Sequence, residues 1–461
     1  MKWGRLRHHL SPLNSFRAEE LWKVIVSKKK EIVLLGQVLT LTASPFEYAL
    51  NDVVHYERRG AIKIFEGKIM EVGSAETVLK SSVAGQIINY GDKLLLAGFV
   101  DAHVHYPQTA IIASWGKRLI DWLNIYTFPE EMRFGDAAYA KQQADSYIDL
   151  AISHGTTSFA TYTTIHPESV DAIFEAASAR GMAVVAGKTC MDRSAPPGLC
   201  DTAQTAYDDS KSLIAKWHRT GRCQYAITPR FSPTSTPEQL AALGALWREY
   251  PNCLMQTHLS EQVEEIDWVK KLYPDALDYL ETYEHAGLLG EKALFGHAIH
   301  LTEREKARIK EVGASLVHCP TSNSFIGSGL FDLAGLSASR QRIGLATDTG
   351  GGSSFSMLRT MAAAYEIGQL NAGPLHPSEL LWLGTMGSAQ SLHLSNEIGS
   401  LEGGKYADIL VLDLYSTPAI TQRAEREEDI WSVLFPTIMM GDDRAVHAVW
   451  TAGHCVKNTQ D

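Results

Sequence analysis

Short apolar runs alternate with amphipathic segments through the middle of the chain, between residues 97 and 400. In segments such as 136–151 and 303–312, apolar residues recur at i, i+3 and i+4, the spacing of one face of a helix. Eight repeats of a strand followed by a helix predict a (β/α)₈ barrel, an α/β fold of the TIM type. The predicted strands are 98–104, 156–162, 182–188, 224–228, 253–259, 293–298, 315–319 and 343–347.

Both ends of the chain have a different, β-rich pattern, in which short apolar runs are separated by turn signals such as Glu66-Gly67. Because these ends flank the barrel segment, we expect them to form one small β-sandwich domain together. The strands predicted there are 32–41, 61–65, 68–72, 407–412 and 445–452. The predicted domains are therefore a β-sandwich of residues 31–96 plus 401–461 and a barrel of residues 97–400.

Charge and composition exclude several classes of partner. The chain has 42 basic and 53 acidic residues, a net charge of −11, which argues against general nucleic-acid binding. No apolar run reaches the roughly 18 residues of a membrane span. Residues 1–30 carry eight basic and two acidic side chains, and we expect a poorly ordered basic extension. Six cysteines without a C-x-x-C pair, and no secretory signal, predict a cytoplasmic protein.

Ionisable side chains stand at the predicted C-terminal ends of the barrel strands, where this architecture places its active sites. His103 and His105 end the first strand and, being two residues apart, point to the same side. Asp101 shares their side and can orient a metal ligand. Taken alone, the two histidines are also compatible with a purely structural role in the barrel.

Three later strands add to this pair, because they end at His258, His297 and Asp348. His103, His105, His258 and Asp348 together supply three nitrogens and one oxygen, which suits Zn²⁺ or Fe²⁺ better than Mg²⁺ or Ca²⁺. We therefore predict one Zn²⁺ per chain, with Fe²⁺ as the alternative.

A second metal ion would need a bridging anion, usually a carboxylated lysine, from the third or fourth strand. The fourth strand leads to Arg230, which cannot form a carbamate and would repel a second cation. Lys188 in the third strand remains an alternative bridge. The sequence thus favours a single metal ion.

Over roughly residues 32–456 the chain resembles the amidohydrolase superfamily. The motifs that carry this resemblance are Asp101-x-His103-x-His105, His258, His297, Asp348 and Gly403-Gly404-Lys405-x-Ala407-Asp408. Six more motifs are similar, in this order, to the guanine deaminases of that superfamily: Thr127-Phe128-Pro129-Glu130, Gly187-Lys188-x-Cys190-Met191-Asp192, Thr228-Pro229-Arg230-Phe231, Thr257-His258-x-Ser260-Glu261, His318-Cys319-Pro320-x-Ser322-Asn323 and Thr347-Asp348-x-Gly350-Gly351. The chain departs from the pattern in residues 1–30, which have no counterpart, and in the bulky pair Tyr106-Pro107.

The resemblance implies hydrolytic deamination of guanine to xanthine and ammonia by a homodimer. It implies that Gln108, Arg230 and Phe231 bind the base, together with His258 and Glu261. An arginine fork matches the O6 and N7 acceptors of guanine, and a phenylalanine ring offers a stacking face. A salt bridge from Arg230 to a carboxylate at the barrel rim is the alternative role for that residue.

The implied reaction gives the catalytic residues their roles. Asp348 takes a proton from the attacking water, and Glu261, three residues beyond His258, carries a proton to ring nitrogen N3. His297 hydrogen-bonds the attacking hydroxide and the oxyanion that forms. Two alternatives stay open: Glu261 as the N-cap of the following helix, and His297 as a fourth metal nitrogen.

Two other functions remain as alternatives. One is a deaminase or dechlorinase of another purine, a pterin or a triazine. Gln108 and Arg230 distinguish guanine from a triazine, because a triazine has no O6 acceptor. The other is a non-catalytic barrel scaffold, which the presence of the complete metal-ligand set and Glu261 argues against.

Overall fold

The structure is a computed structural model that describes residues 31–83, 85–115 and 118–459. The predicted basic extension, residues 1–30, lies outside these residues. The strands are β1 (Ile32–Leu41), β2 (Val54–Phe65), β3 (Lys68–Ser74), β4 (Gln86–Ala97), β5 (Phe99–His105), β6 (Thr156–Tyr162), β7 (Ala183–Gly187), β8 (Thr189–Cys190), β9 (Cys223–Pro229), β10 (Leu254–Leu259), β11 (Ala293–His297), β12 (Ser315–His318), β13 (Arg342–Leu345), β14 (Ile409–Leu412), β15 (Val446–Thr451) and β16 (His454–Asn458).

Helices connect most of these strands. The α-helices are α1 (Leu50–Val53), α2 (Ala75–Lys80), α3 (Leu119–Trp122), α4 (Phe128–Glu131), α5 (Ala137–Ser153), α6 (Pro167–Ala179), α7 (Ala203–Trp217), α8 (Pro237–Glu249), α9 (Val263–Leu272), α10 (Tyr279–His285), α11 (Glu303–Val312), α12 (Pro320–Phe325), α13 (Leu333–Ala338), α14 (Met357–Leu370), α15 (Pro377–Trp382), α16 (Ser388–Ser391), α17 (Pro418–Ala424) and α18 (Ile430–Met440). Short 3₁₀-helices span Tyr106–Ile111, Met132–Gly135, Pro197–Leu199 and Ser232–Thr234, and π-helical turns span Leu123–Thr127 and Leu383–Gly387. Within the described ranges, no helix is long and apolar enough to cross a membrane.

Eight parallel strands form the barrel, in the order β5-β6-β7-β9-β10-β11-β12-β13. Nearly all of their residues are buried, because helices cover the outer face and side chains fill the interior. Backbone hydrogen bonds from Asp348 to His103 (3.0 Å) and from His105 to Thr349 (3.2 Å) close the ring between the last strand and the first. The predicted (β/α)₈ barrel is confirmed, and each predicted strand ends within two residues of the observed one.

Both ends of the chain build the second sheet, whose strand order is β16-β15-β14-β4-β1-β2-β3. The sheet curls back on itself, because Ile69 donates a backbone hydrogen bond to Lys405 and Ala407 donates one to Gly67, both at 2.9 Å. Its inner face encloses an apolar cluster separate from the barrel core. The composite β domain is therefore confirmed, with its facing layers belonging to one curled sheet.

The C-terminal segment also contains two helices that the sequence pattern did not predict. Helix α18 packs on α14 of the barrel, with the rings of Phe435 and Tyr365 5.0 Å apart. The sequence of α18 is apolar almost throughout and has no amphipathic period, so its pattern does not identify it as a helix.

Candidate active site

One cavity at the C-terminal end of the barrel collects nearly all of the predicted site residues. The side chains that line it include His105, Gln108, Arg230, Phe231, His258, Glu261, His297 and Asp348, together with the apolar residues Leu119, Trp122, Leu123 and Ile326. His103 is outside this lining but adjoins it, since its Nε2 lies 3.4 Å from Oδ1 of Asp348. The barrel thus brings together all of the residues that the sequence placed in the site.

The first barrel strand presents two histidines on one side. His103 and His105 are both buried, and their ring centroids lie 5.2 Å apart. Gly296 on β11 leaves the space for one of these rings, since a Cβ atom at Gly296 would lie 2.7 Å from Cε1 of His103. The position of His103 therefore depends on the absence of a side chain on a neighbouring strand.

The backbone of Arg230 sets the tautomer of His258. His258 Nδ1 donates a hydrogen bond of 2.7 Å to the carbonyl oxygen of Arg230. The lone pair of the ring is therefore on Nε2, the tautomer of a metal-binding histidine. This Nε2 lies 3.1 Å from Nε2 of His105.

Asp348 follows the last barrel strand and is positioned by the first. The carboxylate of Asp101 on β5 accepts hydrogen bonds from the backbone N–H (3.0 Å) and the hydroxyl (2.5 Å) of Thr347. Asp101 thereby anchors the residue directly before Asp348, a positioning role that its place on the strand predicted. Burial raises the pKa of Asp101 to about 7, although the hydrogen bonds from Thr347 act in the opposite direction.

The donor atoms of the four predicted metal ligands converge. Asp348 Oδ1 lies 3.4 Å from Nε2 of His103 and 3.6 Å from Nε2 of His105, close to the separation of about 3.4 Å between ligands of a tetrahedral Zn²⁺. His103 Nε2 and Asp348 Oδ1 are buried and have no hydrogen-bond partner among the described residues. A metal ion would satisfy both atoms, so this donor set fits Zn²⁺ or Fe²⁺.

His297 lies between the candidate metal ligands and Glu261. Its Nε2 is 3.7 Å from Oδ2 of Asp348 and 3.6 Å from Oε2 of Glu261, and its Nδ1 donates to Oδ1 of Asn323 at 2.9 Å. His103, His258 and His297 also bring nitrogens within 4.8 Å of one another. The alternative of His297 as a fourth metal nitrogen therefore stays open.

Glu261 is buried in the cavity wall rather than exposed at a helix end. The hydroxyl of Ser328 donates a hydrogen bond of 2.8 Å to Oε1 of Glu261. The following helix α9 begins at Val263 and has Gln262 as its N-cap residue. The alternative in which Glu261 serves as the N-cap is therefore wrong.

The surroundings shift the pKa values of the two carboxyl groups that face the cavity in opposite directions. Burial raises the pKa of Glu261, against the opposing charge of His297. Burial acts in the same direction on Asp348, but the neighbouring imidazoles of His103 and His297 outweigh it and lower the pKa of that group. Burial lowers the pKa of His297, yet Glu261 and Asp348 bring it above the usual value. One carboxyl group is thus suited to holding a proton and the other to staying ionised.

Arg230 and Gln108 meet at a buried carboxylate that the sequence analysis did not single out. The side chain of Glu131 is fully buried, and its two oxygens accept hydrogen bonds from Arg230 Nη1 (2.7 Å) and Gln108 Nε2 (2.9 Å). The salt bridge considered as the alternative role for Arg230 is therefore present. The same side chain also lines the cavity, so the two roles coexist.

Several residues of the site were missed from sequence, for different reasons. Glu131 directly follows the motif Thr127–Glu130, and Asn323 lies inside another of the motifs, so a signal existed for both. Ser328 and the apolar cavity wall belong to the connecting segments after β5 and β12, whose course no periodic pattern determines.

Lys188, the possible bridge between two metal ions, directly follows β7 and is buried. Its ammonium group pairs with Asp201, and within the described residues the cavity lining does not include Lys188. The geometry therefore favours the single-metal interpretation.

Comparisons with known proteins point to one family. The profile of the amidohydrolase family matches residues 94–456. The guanine deaminase of Escherichia coli (strain K12) is 42% identical over 399 residues, which cover 86% of this chain and 91% of that protein. The guanine deaminase of Rattus norvegicus is 32% identical over 380 residues, which cover 78% and 82%.

Solved structures have the same architecture. The structure of E. coli guanine deaminase matches with a TM-score of 0.90 and 39% identity, covering 93% of this chain and 99% of that one. A guanine deaminase from C. acetobutylicum with guanine bound in its active site matches with a TM-score of 0.84 and 28% identity, covering 93% and 100%. The chain belongs to the amidohydrolase family.

Proposed function

We propose that the chain is a metal-dependent guanine deaminase, which hydrolyses guanine to xanthine and ammonia. The observation that carries this function is one cavity that joins a cluster of metal-ligating side chains to Glu261, Gln108 and Arg230. The E. coli protein of the same activity is 42% identical over most of the chain.

His103, His105, His258 and Asp348 hold one Zn²⁺ in this proposal, with Fe²⁺ as the alternative. The converging donor atoms and the unpaired polar atoms of His103 and Asp348 support this set. A zinc ion bound there lowers the pKa of water and so supplies hydroxide as the nucleophile near neutral pH. His297 as a fourth nitrogen remains the alternative within the set.

The chain's own residues move the protons. Asp348 accepts a proton from the attacking water, and the lowered pKa of its carboxyl group keeps it ionised before that step. Glu261, whose pKa is raised, donates a proton to N3 of the ring. His297 lies within 3.7 Å of both carboxylates and donates a hydrogen bond to the oxygen that attacks C2.

Arg230, Gln108 and Phe231 bind the base. Glu131 holds Nη1 of Arg230, which leaves the Nε–Nη2 edge of the guanidinium for the O6 and N7 acceptors of guanine. The ring of Phe231 stands 6.4 Å from the ring of His258 and offers an apolar face on which the base stacks. His258 and Glu261 complete the contacts at the reacting end.

We extend the proposal to the setting of the enzyme. It acts in the cytoplasm as a homodimer and binds neither nucleic acid nor membranes, in keeping with the net charge of −11 and with six cysteines that form no C-x-x-C pair. Its domains are the composite unit of residues 31–96 plus 401–461 and the barrel of residues 97–400, with residues 1–30 as a separate extension.

Purified protein tests this function directly. Guanine absorbance should fall with stoichiometric release of ammonia, metal analysis should give about one zinc or iron per chain, and kcat/KM should favour guanine over adenine by about 10⁴-fold. The Arg230→Ala variant should lose kcat/KM for guanine and keep its metal. Equal rates with guanine and adenine would refute the substrate, and two metal ions per chain would refute the single-metal site.

A further inference from the structure

Glu131 occupies an unusual place for a charged residue. It is the last residue of helix α4, in the segment that crosses over the barrel mouth after β5, and its side chain is fully buried. A buried carboxylate is costly unless both oxygens have partners. The partners of Glu131 are the two side chains proposed to read the base, Arg230 and Gln108.

A carboxylate can only accept hydrogen bonds, and this fixes the direction of the Gln108 amide. The Nε2 group of Gln108 donates to Glu131, so the carbonyl oxygen Oε1 must point elsewhere. Gly350, whose φ is +114°, lies beside this amide, and a Cβ atom there would collide with the carbonyl oxygen Oε1 of Gln108 and come within 2.5 Å of its Cβ. Helix α4 and the loop after β13 thus hold the amide in one orientation.

Arg230 and Gln108 therefore present a fixed arrangement of hydrogen-bond donors and acceptors. Arg230 offers only donors, and Gln108 offers an acceptor on the side away from Glu131. A ring that carries a carbonyl next to an N–H matches this pair, as O6 and N1–H of guanine do. A ring with an amino group next to an unprotonated nitrogen reverses both positions and leaves buried polar groups unpaired.

We infer that Glu131 is the positioning residue that sets substrate choice, because it orients Gln108 and Arg230. The site then accepts a ring edge with a carbonyl beside an N–H (a lactam edge) and rejects one with an amino group beside an unprotonated nitrogen (an amidine edge). This inference rests on the proposed function, since it assumes that these two side chains read the base. Glu131 acts through them, because its own two oxygens are occupied by their hydrogen bonds.

The test compares guanine with 2,6-diaminopurine, which carries the same reacting C2 amine and the reversed edge. The wild-type enzyme should prefer guanine by about 10⁴-fold in kcat/KM. Glu131→Gln should reduce this preference by at least about 100-fold, mainly through KM for guanine. The new amide can donate as well as accept a hydrogen bond, so the Gln108 amide is free to flip. Glu131→Asp keeps an acceptor-only group and should retain most of the preference even if the overall rate falls.

Glu130→Gln is the matched control. Glu130 precedes Glu131 in the same helix and is also buried, but it pairs with Arg133 at 3.1 Å and with Tyr139. Its substitution should leave the substrate ratio within about twofold. Metal content of every variant shows whether the centre stays intact.

The outcomes separate the two proposals. A wild-type enzyme that does not deaminate guanine refutes the proposed function itself. A wild-type enzyme that prefers guanine, together with a folded, metal-containing Glu131→Gln variant of unchanged preference, overturns the role of Glu131 alone. An equal loss of preference in Glu131→Gln and Glu131→Asp would also overturn it, since the orientation argument requires the two variants to differ.

Discussion

Backbone conformation at single residues aims the side chains of the site. His297 and Asp348 both have positive φ values, of 65° and 49°, and so does Ser260, at 49°, two residues after His258. A non-glycine residue in this region costs about 1–3 kcal/mol and persists only when its surroundings hold it there. With Ala298, whose φ is 49°, four such residues follow the ends of β10, β11 and β13. This clustering indicates that strained backbone conformations help to make the donor atoms converge.

Glu261→Gln tests the proton shuttle at this scale. Glutamine keeps the volume and the hydrogen bond from Ser328 but cannot carry a proton, so metal content should be unchanged and kcat should fall by about 10²–10⁴-fold. Steady-state kinetics with guanine and metal analysis measure both.

Glu264→Gln serves as the control for this substitution. Glu264 lies three residues further on, is exposed, and pairs with Arg118 at 3.0 Å on the surface. Its replacement should leave kcat unchanged. Loss of metal from Glu261→Gln would mean that Glu261 is a metal ligand and not a proton carrier.

The residues that could be predicted from sequence are those whose position a strand determines. His103 and His105 follow from the two-residue period of β5, and His258 and Asp348 from the rule that barrel strands end at the active site. Glu131 could not be assigned a role, because its function depends on where the segment after β5 crosses the barrel. Hydrophobic periodicity contains no information about that path.

At the scale of elements, the loop between β8 and α7 is held by a buried ion pair. Lys188 directly follows β7, is 1% exposed, and contacts Asp201, which also accepts a 2.6 Å hydrogen bond from Gln239 on α8. The sequence placed Lys188 correctly at a strand end but left open whether it bridges two metal ions. The direction of its side chain is set by Asp201, which no strand pattern could locate.

Lys188→Met separates these two roles. The variant should keep one metal ion per chain and should lower the free energy of unfolding by about 3–5 kcal/mol, because Asp201 loses the cation that compensates its buried charge. Denaturant unfolding and metal analysis are the measurements. A variant that loses metal would restore Lys188 as a metal bridge.

Lys216→Met is the matched control for this prediction. Lys216 is about half exposed and pairs with Asp171 at 2.8 Å on the surface. Because exposed ion pairs contribute about 0–1 kcal/mol, its loss should scarcely move the unfolding midpoint.

At the scale of the molecule, the chain's two ends meet beneath the barrel. Asp408, just before β14, accepts two hydrogen bonds from the guanidinium of Arg222, just before β9, at 2.9 and 2.5 Å. Asp408 also accepts the backbone N–H of Ala452 at 2.8 Å. The β-rich ends could be predicted to form one domain, since their patterns are alike. Their attachment through this particular pair could not, because it joins residues 186 positions apart.

Arg222→Met tests whether this end of the barrel serves stability alone. Asp408 would stay buried without its cation, so the free energy of unfolding should fall by about 3–5 kcal/mol. Arg222 stands at the start of the strand that leads to Arg230, about 26 Å away along the strand at 3.3 Å per residue. Below the unfolding transition, kcat and KM for guanine should therefore match those of the wild type.

The surface substitution Arg444→Met provides the reference for this variant, since Arg444 is exposed and pairs with Asp442 at 2.7 Å within one turn. It should change the unfolding midpoint little. If Arg222→Met altered KM for guanine while the protein remained folded, the two ends of the barrel would be coupled, and the separation of a stabilising face from a catalytic face would not hold for this enzyme. Unchanged kcat and KM together with a lower unfolding midpoint would show that this contact of the composite β domain stabilises the fold and does not affect catalysis.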